Sequence, residues 1–294
     1  MHKKLIINAD DLGLTKGINL AVSECADAGL LRSATIMANG AAFDDAVKIF
    51  GNREEFGTGI HFVLTGLKPV APVQKVAGLL GPDGLLPSGP LGLLEKIAAD
   101  KSLRDALRHE LFAQAEKVFD SGIKPTHFDS HKHVHIIPAV LDVMVEIAAR
   151  FSVKWVREPF EPNGSWRFSP DLHNGFKANF FKQLAVARVS TLARPAFRSR
   201  VRGAGMKTAA GVYGISFTGL MNEAILKSLC GMLKPGLSEL MTHPGVMDAD
   251  LLGLKGRLVA SRAEEKKLLV SPEIKGFFEK NAITLRHFGE VDSE

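Results

Sequence analysis

The strongest constraint on the fold is a repeated alternation between short β-like runs and longer helix-like stretches. The β-like runs are mainly apolar and end in polar residues; they cover residues 5–10, 34–38, 58–64, 126–130, 153–157, 239–243 and 283–288. Parallel strands joined by helices produce this alternation. About seven repeats favour a barrel over an open sheet. The sequence therefore predicts an α/β protein, with a distorted (β/α) barrel of about seven parallel strands.

Two helices are well marked between these runs. Residues 102–121 carry apolar side chains at helical spacing, and Ser102 with Asp105 predicts a capping box at the start. A second helix is expected from Pro138 to about Arg150, because proline is favoured in the first turn of a helix.

Two stretches interrupt the alternation. Residues 67–94 are rich in glycine, proline and leucine, and residues 160–214 hold most of the excess positive charge. Insertions of this kind form loops near the mouth of a barrel. We therefore expect a single domain over residues 1–294, with irregular insertions near 67–94 and 160–214.

The positive charge is local. The chain carries a net charge of +5, yet between Leu172 and Asn222 it has eight basic residues and no acidic one. This basic segment, defined as residues 177–207, predicts attraction to phosphates or to an anionic membrane surface. A solvated loop without a partner would have the same composition. No nucleic-acid recognition motif accompanies the charge, so nucleic acid is not an expected partner.

Cysteine content and hydropathy indicate the compartment. Cys25 and Cys230 both lie in apolar, helix-like contexts, which fits a reducing environment. No signal peptide is visible, and no apolar stretch reaches the roughly 18 to 20 residues of a membrane span. We expect a cytoplasmic protein that could associate peripherally with a membrane. A homodimer is the default expectation for an oligomeric protein of this kind.

Carboxylates and a histidine stand at the ends of the first and third β-like runs. Asp10 and Asp11 close the first run, and His61 lies near the end of the third. Since neighbouring strand residues point in opposite directions, one aspartate could ligate a metal ion while the other acts as a base. The same pair could instead cap the following helix, and a single strand histidine is often a hydrogen-bonded core residue.

Histidines are concentrated in one short segment. Four of the ten occur within residues 127–135, at His127, His131, His133 and His135. The last three share one face if the segment is extended. Asp129 lies close enough to orient a metal-bound imidazole. Imidazoles and carboxylates at the carboxyl ends of parallel strands predict a divalent-metal site.

Four motifs follow one another in the order found in a known family. They are Asn8–Leu14, Gly59–Thr65, Thr126–His135 and Met241–Gly245. Together they resemble the YdjC-like carbohydrate deacetylases, which include chitooligosaccharide deacetylases and deacetylases of hopanoid biosynthesis. The resemblance runs from residue 3 to about residue 250. It implies a hydrolase that removes the N-acetyl group from an amino sugar and releases acetate.

The resemblance also implies roles for individual residues. The implied metal ligands are Asp11, His61 and His131. Asp10 corresponds to the catalytic base, Arg157 to an arginine that orients it, and His243 to a histidine that assists the leaving group. The family is generally associated with Mg²⁺, whereas two imidazoles and one carboxylate suit Zn²⁺. One divalent ion, Mg²⁺ or Zn²⁺, is therefore the expected cofactor.

Substrate and reaction class leave alternatives open. The motifs around Asp129 and Phe62 resemble the chitooligosaccharide branch, whereas the basic segment resembles the hopanoid branch and suggests a lipid-linked N-acetyl sugar. A metal-dependent phosphoesterase would use a similar barrel but more metal ions, for which His133 and His135 are spare ligands. A non-catalytic sugar-binding protein would be expected to lack the base, yet Asp10 is present.

Overall fold

The computed structural model of the protein describes residues 3–162, 174–254 and 258–291, with side chains in the second range from residue 180 onward. Its strands are β1 (Lys3–Leu12), β2 (Ser33–Ile36), β3 (Gly57–Phe62), β4 (His127–Ser130), β5 (Trp155–Val156), β6 (Val212–Tyr213), β7 (Gly236–Thr242) and β8 (Ile283–Leu285). Its helices are α1 (Lys16–Asp27), α2 (Phe43–Phe50), α3 (Val73–Val76), α4 (Pro90–Ala99), α5 (Leu103–Asp120), α6 (Pro138–Phe151), α7 (Asn174–Ser190), α8 (Arg194–Gly203), α9 (Glu223–Gly231), α10 (Ala249–Gly253), α11 (Val259–Leu269) and α12 (Pro272–Lys280). Short 3₁₀ helices cover Ala77–Leu79, His131–Ile136 and Thr191–Ala193.

The strands form one curled parallel sheet. Their order is β5-β4-β3-β2-β1-β7-β6, and β8 pairs with the first residues of β1. Lys207 forms a parallel bridge to Trp155 in β5, while β6 pairs with β7. The segment 207–213 therefore links the two ends of the sheet. The predicted distorted barrel of about seven parallel strands is confirmed.

The central strands are mainly apolar because both of their faces are buried. Helices cover the outer face of the sheet, and side chains fill the space on its inner face. Every residue of β1 from Leu5 to Leu12 is buried. On the neighbouring strands, Phe62 and Phe128 meet edge to face with ring centroids 5.2 Å apart. These packed side chains form a rigid apolar layer inside the sheet. The polar side chains described below follow this layer at the carboxyl ends of the strands.

One strand was not predicted. The two residues of β6 lie between Gly211 and Gly214, both with positive φ, and two residues are too few to show a strand period in the sequence. The other strands fall within a few residues of their predicted limits.

The predicted helix over 102–121 is present as α5, but the predicted capping box is wrong. Ser102 has helical backbone angles and its side chain makes no cap hydrogen bond. The chain already turns at Asp100, whose side chain accepts a hydrogen bond from the Ser102 backbone N–H at 2.8 Å. Because Ser102 belongs to this turn, its hydroxyl does not face the orphan N–H groups of α5.

The two inserted stretches contain helices. Residues 67–94 include α3, the 3₁₀ helix Ala77–Leu79 and the start of α4. Glu110 of α5 anchors this stretch by accepting hydrogen bonds from the Val70 and Ala71 backbone N–H groups at 2.9 and 3.0 Å. The second stretch includes α7 and α8, and its residues 163–173 lie outside the described ranges. None of the helices in the described part of the chain is long and apolar enough to cross a membrane.

Candidate active site

The carboxyl ends of the strands bring the predicted site residues together. These residues, on or just after β1, β3, β4, β5 and β7, are Asp10, Asp11, His61, Asp129, Arg157 and His243. All six side chains are buried. Residues far apart in sequence meet here because parallel strands end at the same edge of the sheet.

An irregularity in β1 lets two adjacent aspartates serve one site. Pairing between β1 and β2 shifts register between Ala9 and Leu12, and Asp11 has a φ of 68°. Aspartate tolerates this left-handed conformation better than most residues. Asp10 and Asp11 each belong to a different cluster of potential metal ligands, and His61 is common to both clusters. Thr15, not an aspartate, caps α1.

His61 is held by contacts on both ring nitrogens. Its Nδ1 lies 2.7 Å from Asp129 Oδ1 and 3.1 Å from the Thr35 hydroxyl, while its Nε2 lies 3.5 Å from Asp11 Oδ1. Burial alone would lower the pKa of His61, but Asp129 and Asp11 outweigh it and raise that pKa to about 10. A metal ion bound at Nε2 would therefore have to displace a proton.

His131 reaches the same carboxylate from the 3₁₀ helix after β4. Its Nδ1 lies 3.1 Å from Asp11 Oδ1, and its side chain is 25% exposed, so this flank of the cluster opens toward solvent. Asp11, His61 and His131 each offer one ligand atom, and these atoms all lie within 4.8 Å of one another.

The three alternating histidines would share one face only in an extended segment, and this segment is not extended. The chain leaves the extended conformation after Ser130, and Lys132 and His133 both have a φ of 55°. His135 consequently turns away from Asp11, with its Nδ1 against the Ser130 hydroxyl and its Nε2 3.2 Å from the Arg157 carbonyl. Within the described ranges, neither His133 nor His135 belongs to a cluster of potential metal ligands.

Arg157 occupies the centre of the polar cluster. It is fully buried and contacts three carboxylates: Asp10 at 2.7 Å, Asp129 at 2.8 Å and Glu239 at 2.7 Å. Burial alone would raise the pKa of Asp10, but Arg157, aided by His61 and His243, holds that pKa well below its usual range. Asp10 is thus ionised and fixed in orientation.

Asn8 fixes Asp10 from the other side. Its amide N–H donates to Asp10 Oδ1 at 2.9 Å, and its carbonyl oxygen accepts from the Ser33 hydroxyl at 2.8 Å. His127 Nε2 also lies 3.1 Å from that carbonyl oxygen, and its ring stacks on Phe288 with centroids 4.1 Å apart. His127 is therefore a core histidine that supports Asn8.

His243 lies beside Asp10 at the end of β7. Its Nε2 is 4.0 Å from Asp10 Oδ2, and its backbone N–H donates to Glu265 at 2.6 Å. Burial lowers the pKa of His243 to about 4, although Asp10 and Asp11 oppose the shift. The imidazole is consequently neutral near pH 7 and can accept a proton.

The sequence analysis missed the residue that pairs with Asp11. Arg262 of α11 pairs with Asp11 Oδ2 and is only 4% exposed. It follows the last recognisable motif and lies in a helix with several charged neighbours, so no local pattern distinguishes it. Only the three-dimensional structure brings it to Asp11.

The donor set of Asp11, His61 and His131 fits a divalent ion. One carboxylate and two imidazoles suit Zn²⁺ and related ions and leave coordination positions for water and substrate. The contacts from Asp129 and Thr35 to His61 Nδ1 direct Nε2 toward the cluster, as outer partners of metal-bound histidines do. The second cluster, Asp10 with His61 and Asp129, fits less well, because Arg157 already pairs with both of its carboxylates.

The fold and the site together define an α/β barrel-like protein. Its site combines three potential metal ligands, Asp11, His61 and His131, with the carboxylate of Asp10, which Arg157 holds in place. The model of the family described as YdjC-like protein matches residues 4–280, and the chain belongs to this family. The family resemblance predicted from four motifs is thereby confirmed.

Several relatives carry functional names. The chain is 30% identical to a carbohydrate deacetylase of Brevibacillus brevis, over 98% of this chain and 99% of that protein. It is 29% identical to a carbohydrate deacetylase of Thermoanaerobacter pseudethanolicus, over 97% and 98%. A chitooligosaccharide deacetylase of Salmonella paratyphi B is 39% identical over a shorter stretch, 51% of this chain and 57% of that protein.

A solved structure supports the fold. A protein of Enterococcus faecalis, assigned provisionally to cellobiose-phosphate cleavage, matches with a TM-score of 0.74 and 22% identity over 99% of both chains. At this identity the match shows a shared architecture across the whole chain.

Proposed function

We propose that the protein is a metal-dependent carbohydrate deacetylase that hydrolyses the N-acetyl group of an amino sugar to acetate and a free amine. The observation that carries the proposal is the cluster of Asp11, His61 and His131 directly beside Asp10, which Arg157 fixes in its ionised form. The deacetylase names of two full-length relatives support the same reaction class.

One divalent ion is proposed at Asp11 Oδ1, His61 Nε2 and His131 Nδ1. When bound, such an ion polarises the acetyl carbonyl and lowers the pKa of a coordinated water. The two imidazoles favour Zn²⁺ over Mg²⁺, since Mg²⁺ prefers oxygen ligands.

The proposed base is Asp10. Its carboxylate accepts a proton from the attacking water as the new C–O bond forms, and Arg157 and Asn8 keep it oriented during that step. Because the pKa of Asp10 is low, its carboxylate does not retain the proton. His243, neutral and 4.0 Å away, can take that proton and deliver it to the nitrogen as the C–N bond breaks.

The arrangement favours this reaction over a phosphoesterase with several metal ions. Such an enzyme needs a second set of free ligands. Among the described residues, the second cluster shares His61 with the first, and its two carboxylates are bound to Arg157. One metal ion per chain is therefore expected, and metal stoichiometry tests the difference.

The contacts of the basic segment weaken the argument from charge for a lipid-linked substrate, because several of its arginines pair with carboxylates of the protein. Arg194 and Arg198 pair with the buried carboxylate of Glu158. Arg200 pairs with Asp142 at 3.1 Å, and the side chain of Lys177 lies outside the described ones. Much of the positive charge of the basic segment is thus engaged in ion pairs within the protein.

Exposed apolar side chains give better support for a membrane contact. On α7 and the turn after it, Phe181, Val186, Val189 and Leu192 are 61 to 83% exposed, and Lys182 lies beside them on the surface. Apolar side chains flanked by cations are typical of surfaces that bind anionic membranes. We therefore propose a soluble N-acetylated oligosaccharide or a membrane-borne N-acetyl sugar as substrate.

Acetate release from diacetylchitobiose tests the reaction. The wild type, loaded with metal, should release acetate; Asp10→Asn should not, while still binding one ion per chain. Asp44→Asn, on the exposed face of α2, controls for the aspartate substitution itself. Loss of bound metal in Asp10→Asn would contradict the separation of base and ligand. A wild type that holds metal but releases nothing from soluble or lipid-linked N-acetyl sugars would refute the deacetylase proposal.

A further inference from the structure

The two oxygens of Asp11 face different partners. Oδ1 lies 3.1 Å from His131 Nδ1 and 3.5 Å from His61 Nε2. Oδ2 accepts a hydrogen bond from Arg262 Nη2. The carboxylate is therefore divided between the proposed metal position and a buried cation.

Arg262 is fixed in place by its own surroundings. Its carbonyl accepts a hydrogen bond from the Gly245 backbone N–H at 3.1 Å. Its side-chain stem lies so close to Gly245 that an added Cβ there would stand 3.0 Å from Arg262 Cβ. One turn further along α11, Glu265 binds the backbone N–H of His243. Helix α11 thus fastens the loop after β7 and presents Arg262 to Asp11.

Part of the guanidinium group is unused. Arg262 Nη1 is buried and has no hydrogen-bond partner among the described residues. A buried donor without a partner carries a desolvation cost, so its retention beside Asp11 calls for an explanation. The contact of Arg262 with Asp11 Oδ2 offers an explanation, because Asp11 is one of the proposed metal ligands.

We infer that Arg262 is a positioning residue that restricts Asp11 to one ligand oxygen and thereby sets the affinity and open coordination of the metal site. The inference rests on the proposed function, in which Asp11 is a ligand. With Oδ2 held by Arg262, only Oδ1 is available, and positions around the ion stay free for water and the acetyl oxygen. The buried guanidinium also repels a nearby divalent cation, because charges interact strongly where water is excluded.

The inference predicts opposite changes in binding and turnover. In Arg262→Met, the cation is gone and Asp11 can offer both oxygens. Metal affinity should rise roughly tenfold, because a buried cation that repels the ion is removed and Asp11 gains a second ligand oxygen. The kcat for acetate release should fall, with KM little changed. A merely structural role would lower affinity and kcat together.

Calorimetric titration of chelator-treated protein with Zn²⁺ measures the affinity. Arg262→Lys retains the charge and should stay near the wild-type value. Arg32→Met is the matched control, because Arg32 pairs with Glu290 on another part of the protein and should leave Zn²⁺ affinity unchanged. Visible absorption of the Co²⁺-loaded protein adds a readout of geometry: its intensity falls as coordination number rises, so Arg262→Met should absorb more weakly.

Unchanged or weaker Zn²⁺ binding by folded Arg262→Met, with folding checked by thermal unfolding, would overturn the inference. This outcome would leave the deacetylase proposal intact if Asp11→Asn abolishes binding and the wild type releases acetate. Conversely, tighter binding by Arg262→Met in a protein that deacetylates nothing would support the role of Arg262 and refute the proposed reaction. Unaltered Zn²⁺ binding by Asp11→Asn would remove the metal site and both proposals with it.

Discussion

Arg157 donates two hydrogen bonds to Asp10, from Nη1 to Oδ2 and from Nη2 to Oδ1, each of 2.7 Å. The same guanidinium donates from Nε to Glu239 at 2.7 Å and lies 2.8 Å from Asp129. The three carboxylates belong to β1, β7 and β4, so one arginine connects strands across the sheet directly beneath the proposed site. Orientation of the base and cohesion of the barrel therefore depend on the same group.

Replacing Arg157 should affect both properties. Arg157→Met leaves three buried carboxylates without their cation, and breaking a buried pair costs about 3–5 kcal/mol. We expect a loss of that size in the free energy of unfolding, measured by urea denaturation. Arg157→Lys keeps the charge but not the two-pronged contact, so it should retain more stability than activity.

The control for Arg157 is an arginine in an exposed pair. Arg108 pairs with Glu146 at 2.8 Å, and both side chains are about half exposed. Such pairs contribute about 0–1 kcal/mol, so Arg108→Met should change stability little. Equal losses in Arg157→Met and Arg108→Met would contradict the central role of the buried cluster.

The two proposed histidine ligands should differ in what their removal does. His131→Ala and His61→Ala should each weaken metal binding, on the order of 10-fold or more. His61 is fully buried and bound to Asp129, whereas His131 is 25% exposed, so only His61→Ala should also lower the unfolding temperature markedly. Calorimetric titration and thermal unfolding measure the two effects.

Another histidine provides the comparison. His109 lies on the exposed face of α5, away from the cluster, and His109→Ala should bind metal like the wild type. Undiminished metal affinity in His61→Ala or His131→Ala would exclude that residue as a ligand.

The parallel sheet explains why much of the site could be predicted from sequence. Asp10, His61 and Arg157 each stand at or near the end of a short apolar run, and the ends of parallel strands converge whatever the loops between them do. The repeated β–α pattern therefore predicted both the fold and the shared position of these side chains.

Features without a local pattern were missed or misjudged. Arg262 meets Asp11 across 251 residues of sequence, from a helix whose charged residues look like an ordinary surface. The segment after Ser130 was judged by its alternating histidines, but the left-handed residues Lys132 and His133 break the alternation. Neither a long-range tertiary contact nor a pair of left-handed residues produces a periodic pattern in the sequence.

Stability should fall with rising pH through the Glu239 carboxyl. Burial raises the pKa of Glu239 from 4.5 to about 7, although Arg157 opposes the shift. Between these two values the native state holds a proton that the unfolded chain has lost, so the free energy of unfolding decreases as pH rises. Glu239→Gln cannot titrate and should therefore gain stability relative to the wild type between about pH 4.5 and about pH 7.

Urea denaturation across this pH range, with the wild type and Glu239→Gln side by side, measures the difference. Glu265→Gln should behave in the same direction, because burial also raises the pKa of Glu265 to about 7. Glu95→Gln, on the exposed face of α4, controls for the substitution of a carboxylate by an amide. Stability curves for Glu239→Gln and wild type that stay parallel would contradict the shifted carboxyl.

The exposed apolar residues on α7 and on the 3₁₀ helix that follows it, rather than the arginines, should control membrane contact. Leu192→Asp together with Val189→Asp should reduce sedimentation with phosphatidylglycerol vesicles, because both side chains are more than 60% exposed and would no longer enter the interface. Leu252→Asp, at a 59% exposed leucine on α10, should sediment like the wild type.

Arg198 separates the two explanations of the basic segment. Its Nε donates to the buried Glu158 at 2.8 Å, so Arg198→Gln should lower the unfolding temperature and leave vesicle binding of the folded protein largely unchanged. Vesicle binding lost in Arg198→Gln and retained in the double variant Val189→Asp with Leu192→Asp would assign the contact to charge alone. A wild type that does not sediment with these vesicles would remove the membrane contact and favour a soluble oligosaccharide, since the apolar surface would then serve no lipid-borne substrate.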